Sequence, residues 1–143
     1  MACYSPAEQL GDRVTGYILE CPYRDIRTAT RNRTRISLPP VVEYVAYAGF
    51  SAVAPAVLPY VDEVSPLKAA ARVPPSARVL VLAGSADRRA TPAEAEAIAN
   101  AVGGRAELVV IEGGDHLRLA AADPERYRKA ILELLESCSP AEE

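Results

Sequence analysis

At 143 residues and 50% hydrophobic content, the chain is long enough to bury a core and sized for one domain or part of one. With 16 Lys and Arg against 19 Asp and Glu the net charge is −3, which argues against a surface built for nucleic acid. No run reads as long enough to cross a membrane, the start MACYSPAEQLGDR carries no export signal, and Cys3, Cys21 and Cys138 show no C-x-x-C or metal spacing, as fits free thiols in a reducing cytoplasm.

After a polar lead, residues 13–20 (RVTGYILE) read as a strand that Cys21-Pro22 ends. Asp25 is placed to cap a helix to about Arg35, on which Arg24, Arg27, Arg31 and Arg35 share one face. Such a stripe suits an anionic ligand, but a solvated face with long side chains laid over apolar surface explains it equally without one, and the net charge favours the latter. SLPP breaks the chain, and residues 41–54 (VVEYVAYAGFSAVA) read as an apolar helix with Tyr44, Tyr47 and Phe50 at helical steps. That row is expected to pack, or to line a pocket if the helix is a mobile cover. Ser65-Pro66 opens a short helix to about Ala71, and Pro74-Pro75 leads into the unit that organises the rest.

In that unit the Val- and Leu-rich run ARVLVLAG reads as a buried strand ending at Gly84, with Asp87 just beyond. Thr91-Pro92-Ala93-Glu94 has the form of a capping box opening a helix to Val102, which Gly103-Gly104 stop. AELVVI is a second strand, and EGGDH puts His116, the only histidine, just past its end. Strand, helix, strand favours two parallel strands with a right-handed crossover, so both loops fall at the same sheet edge. A carboxylate there can hold one imidazole nitrogen and leave the other to take a proton from a nucleophile; capping and local hydrogen bonding are the simpler roles for the same residues. Asp115 reads as an exposed loop residue. Asp123-Pro124 starts a last helix with Tyr127, Ala130, Ile131, Leu134 and Leu135 as its apolar stripe, ending near Ser137.

Residues 14–137 resemble the C-terminal half of an α/β-hydrolase domain. RVTGYILECPYRD resembles the sixth strand of that family, ARVLVLAGSAD the seventh with its acid, and AELVVIEGGDH the eighth with its histidine. The resemblance implies an α/β fold in three layers: a partial α/β-hydrolase sheet of three parallel strands, helices on both faces, and a helical lid-like insertion at about residues 24–72, within a single partial domain over 1–143. It implies Asp87 as the triad acid and His116 as the general base, in the order serine, acid, histidine, with no cofactor or metal. The pattern departs from the family in two respects: G-x-S-x-G is absent, and Arg88-Arg89 follow the acid where an apolar residue or proline is common.

The implied activity is that of a C-terminal portion of a serine hydrolase for an ester, thioester or amide, expected to be inactive alone. Two residues are candidates for the nucleophile of a complete minimal enzyme. Ser51 in AGFSAVA has Gly49 before it and the correct chain order, but needs residues 41–48 to be a strand ending in an elbow. Cys21 lies past a strand end, where a thiolate paired with His116 would attack a carbonyl, although a small cysteine there more often packs. A third alternative is a non-catalytic partner that docks through residues 14–20, whose open edge predicts self-association or dependence on a missing N-terminal half.

Overall fold

The computed structural model describes residues 13–139. The elements in order are β1 (Gly16–Glu20), α1 (Ile26–Ser37), α2 (Pro40–Val57), α3 (Pro66–Ala70), β2 (Arg78–Gly84), α4 (Pro92–Val102), β3 (Ala106–Ile111), α5 (Leu119–Ala122) and α6 (Pro124–Cys138). The strands form one parallel sheet in the order β1-β2-β3, with Gly16 opposite Arg78 and Val79 opposite Ala106. β1 is shorter than expected: its register with β2 begins only at Gly16.

The sheet is covered on both faces because β2 is apolar in both directions of its pleat. Val79, Val81 and Ala83 join Tyr17 and Leu19 against Ala95, Ile98 and Val102 of α4 and Ala69 and Ala70 of α3. Leu80 and Leu82, pointing the other way, meet Val109, Ile111, Leu119 and the α6 residues Ala130 and Leu134. Leu80, Leu82, Ile98 and Ile111 are fully buried, each stabilising by about 1.5–3 kcal/mol. Leu135, assigned above to the apolar stripe of α6, is instead 52% exposed, because the stripe that meets the sheet is narrower than five residues.

Three of the four expected helix starts have their cap bonds. Asp25 accepts from Thr28 N, Ser65 from Lys68 N and Asp123 from Arg126 N. The fourth differs: Thr91 makes no side-chain cap bond. The Glu94 carboxylate is buried and taken by the segment after β1, accepting from Arg24 N at 3.1 Å and Asn32 Nδ2 at 2.5 Å, while Thr91 Oγ1 donates to it at 3.2 Å. A carboxylate surrounded by these donors is worth more inside than at a solvated helix end.

The region expected to be lid-like is helical, and the arginine stripe is what ties it together. Arg27 donates to both oxygens of Asp62, Arg31 and Arg35 lie 3.7 and 3.8 Å from Glu43 on α2, and Arg31 sits over the Tyr47 ring. Arg27, Arg31 and Arg35 are therefore engaged within the insertion by ion pairs and by the Arg31 guanidinium stacked 5.0 Å from the Tyr47 ring centroid. Tyr47 and Phe50 pair at 6.3 Å, whereas Tyr44 is exposed. α2 corrects one sequence reading: its 18 residues are long and apolar enough, by length and composition only, to cross a membrane. The helix continues through Pro55 in its last turn, which lengthens the apolar run beyond residues 41–54.

Candidate active site

The loops after β2 and β3 are joined before any functional side chain is considered. Ser85 N donates to Ile111 O, Ala86 N to Gly114 O, and Gly113 N to Ser85 Oγ, at 3.0, 3.0 and 2.8 Å. Gly84 is required by this approach, since a Cβ on it would lie 2.2 Å from the carbonyl oxygen of Gly114. The first turn beyond each strand is thereby fixed against the other.

Asp87 follows directly and is buried. Its Oδ1 accepts from Arg89 N at 2.7 Å and Ala90 N at 3.0 Å, and its Oδ2 meets His116 Nδ1 at 2.8 Å. A carboxylate only accepts, so Nδ1 carries the proton and Nε2 is the basic nitrogen. The two residues are 29 apart in sequence and adjacent because neighbouring parallel strands end at one edge. The acid side chain is inaccessible while the imidazole is 24% exposed, so one partner is sealed and the other open. They line a cleft of about 200 Å³ with Ala86, Arg88, Arg89, Asp115, Leu117 and Ile36, the last from α1. Arg88 and Arg89 do not disturb the acid turn, whose bonds to Asp87 come from backbone N–H groups.

Asp115 lies in the loop, partly exposed as expected, and it is also bonded there. Its carboxylate accepts from Leu117 N, Arg118 N and the Arg118 guanidinium. The Leu117 N–H, followed by the guanidinium, holds its carboxyl below the usual range. It shapes the turn that carries His116.

The candidate nucleophiles fare differently. Ser51 lies inside α2, not on a strand-to-helix turn, so the elbow it needed does not form. Cys21 is brought to the pair: its sulfur, an Asp87 oxygen and a His116 nitrogen all lie within 4.8 Å of one another. It sits at the tip of β1, its N–H donating to Leu82 O at 2.8 Å, and it alone among the described non-glycine residues has a positive φ, 45°. Burial first, and then the Asp87 charge, push its thiol up to about 12. A buried thiol that holds its proton this firmly is a poor nucleophile at neutral pH. Cys21 and Cys138 are free, and Cys3 lies outside the described residues. The sequence placed this cysteine at a strand end within reach of His116; its closeness to Asp87 as well is what the structure adds.

No protein-family model and no curated protein matches the chain. Solved structures do. BpoC of Mycobacterium tuberculosis H37Rv, assigned as a non-heme bromoperoxidase, superposes with a TM-score of 0.64 at 17% identity, over 97% of this chain and 63% of its own. A thermophilic esterase from Thermogutta terrifontis, with malate bound, gives a TM-score of 0.51 at 24% identity over 94% and 60%. Both have the α/β-hydrolase fold.

The chain has a partial α/β-hydrolase fold. It spans less than two thirds of the length of either structure. Its sheet has the three parallel strands expected for this part of the fold, with Asp87 and His116 at the ends of the second and third.

Proposed function

We propose that this partial α/β-hydrolase supplies the acid and the general base of a serine hydrolase acting on an ester, thioester or amide of a small acyl substrate. The observation that carries the reading is the 2.8 Å bond from His116 Nδ1 to a sealed Asp87. Nε2 takes the proton of a serine hydroxyl as its oxygen attacks the acyl carbon, and the Asp87 carboxylate stabilises the imidazolium. The proton then passes to the leaving group, and water repeats the cycle on the acyl-enzyme.

The nucleophile and the oxyanion-hole donors come from a further hydrolase segment, and these 143 residues are inactive by themselves. Among the described residues β1 pairs only with β2, leaving a parallel edge with Ile18 40% exposed on one face. That edge receives the remaining strands, whether in one polypeptide or between two, and unpaired it drives self-association. The reading is tested by co-expressing the chain with an N-terminal hydrolase segment bearing G-x-S-x-G. Ester turnover that appears only in the mixture and is abolished by His116→Ala supports it; turnover indifferent to His116→Ala overturns it.

A further inference from the structure

The Cys21, Asp87 and His116 cluster has a capacity that proton transfer does not use. It gathers a thiol, a carboxylate and an imidazole at the tips of three adjacent strands, with Cys21 and Asp87 buried and His116 half-buried. Ligand atoms of a tetrahedral zinc site stand roughly 3.3–3.8 Å apart, given metal bonds of about 2.0–2.3 Å. The three here, all within 4.8 Å of one another, need shifts of about 1 Å to enclose an ion. Cys21 reaches this place at the expense of a left-handed backbone, a conformation that side-chain-bearing residues seldom adopt.

We propose that Cys21, Asp87 and His116 bind a thiophilic divalent cation of the zinc class, with a water from the cleft as fourth ligand. The donor set selects the metal: one soft sulfur, one imidazole nitrogen and one carboxylate oxygen suit Zn(II) or Co(II) far better than Mg(II) or Ca(II). Two backbone N–H groups fix Asp87 Oδ1 as a supporting shell, while Oδ2 exchanges its bond from His116 Nδ1 for the ion and the ring proton moves to Nε2, leaving Nδ1 as the nitrogen ligand. The cleft gives a route in past His116. Its rim carries Arg88 and Arg89 against Asp115, so affinity comes from the ligands and not from a favourable surrounding field. Binding exchanges the thiol proton for the metal: the S–H bond breaks, an S–metal bond forms and one proton leaves to solvent. Two anionic ligands then balance the ion. An occupied site engages the imidazole and removes the base, so the cation acts as an inhibitor of the proton transfer proposed above; the site itself does not depend on that activity.

The test uses the full chain, stripped with chelator. Co(II) titration is expected to give one equivalent bound with a thiolate-to-metal charge-transfer band, and Zn(II) calorimetry in two buffers to show about one proton released per ion. Cys21→Ser should abolish the band, His116→Ala should weaken Zn(II) at least tenfold, and Cys138→Ser should change neither. No band in the parent chain, a band that survives Cys21→Ser, or one lost in Cys138→Ser overturns the proposal. Should Cys21→Ser fail to fold, the half-exposed His116 decides: unchanged Zn(II) affinity in His116→Ala overturns it.

Discussion

Asp87→Asn separates the charge of the acid from its shape. The two N–H groups of Arg89 and Ala90 demand an acceptor, so the asparagine oxygen takes the Oδ1 position and its NH2 faces His116. That NH2 donates, so Nδ1 must become the acceptor and the ring proton moves to Nε2. Three hydrogen bonds to a charged group become neutral ones, a loss of about 1 kcal/mol each. Relief from burying a charge returns part of this, leaving a net loss of roughly 1–2 kcal/mol and a fall in Tm of about 5 °C. Two measurements read the outcome: a thermal melt, and 15N correlation spectra in which the single imidazole reports its tautomer. An unchanged tautomer in Asp87→Asn would refute the assignment of Nδ1 as the protonated nitrogen. An unchanged Tm would refute the claim that the acid turn is held by those three bonds.

Other consequences follow from the same geometry. Gly84→Ala puts a methyl 2.2 Å from Gly114 O, so the β2 and β3 loops must separate; a loss of at least 2 kcal/mol in urea unfolding is expected, with the His116 signals displaced. Because burial pushes the Cys21 thiol up to about 12 in the folded chain, from an ordinary value of 9.0, stability is full below pH 9 and falls as pH rises toward 12, by up to about 1.4 kcal/mol per unit. Denaturant melts at pH 8 and 10 should show this slope in the parent chain and a shallower one in Cys21→Ala; equal slopes would count against the buried thiol. Glu94→Ala strands the N–H of Arg24 and leaves the Asn32 amide only its bond to Arg89 O, so limited proteolysis within the insertion should accelerate severalfold while the sheet resists; unaltered cleavage would show that Glu94 does not hold the insertion.

Which features could be read from the sequence depended on how local their causes were. Asp25, Ser65 and Asp123 cap helices through neighbours three residues away, so the residue types sufficed. The strands of β2 and β3 were legible because their apolar runs are short, Val- and Leu-rich and closed by glycine. Glu94 obeyed the local pattern and was claimed by distant donors instead, and the arginine stripe found its partners Asp62 and Glu43 on other segments. The meeting of Asp87 and His116 followed from parallel topology. The same topology put Cys21 at that edge beside His116, but its closeness to Asp87 depends on the register of β1 and a positive φ, which no local sequence pattern displays.

The proposed function requires Asp87 and His116 to act as a proton-relay pair for a nucleophile supplied by another segment. Treating the purified chain with a fluorophosphonate probe and mapping adducts by mass spectrometry tests this most directly. The pair alone predicts no labelled serine, with labelling on the added G-x-S-x-G serine once the complementary segment is present and its loss in His116→Ala. A His116-dependent adduct on Ser51 of the isolated chain would contradict it.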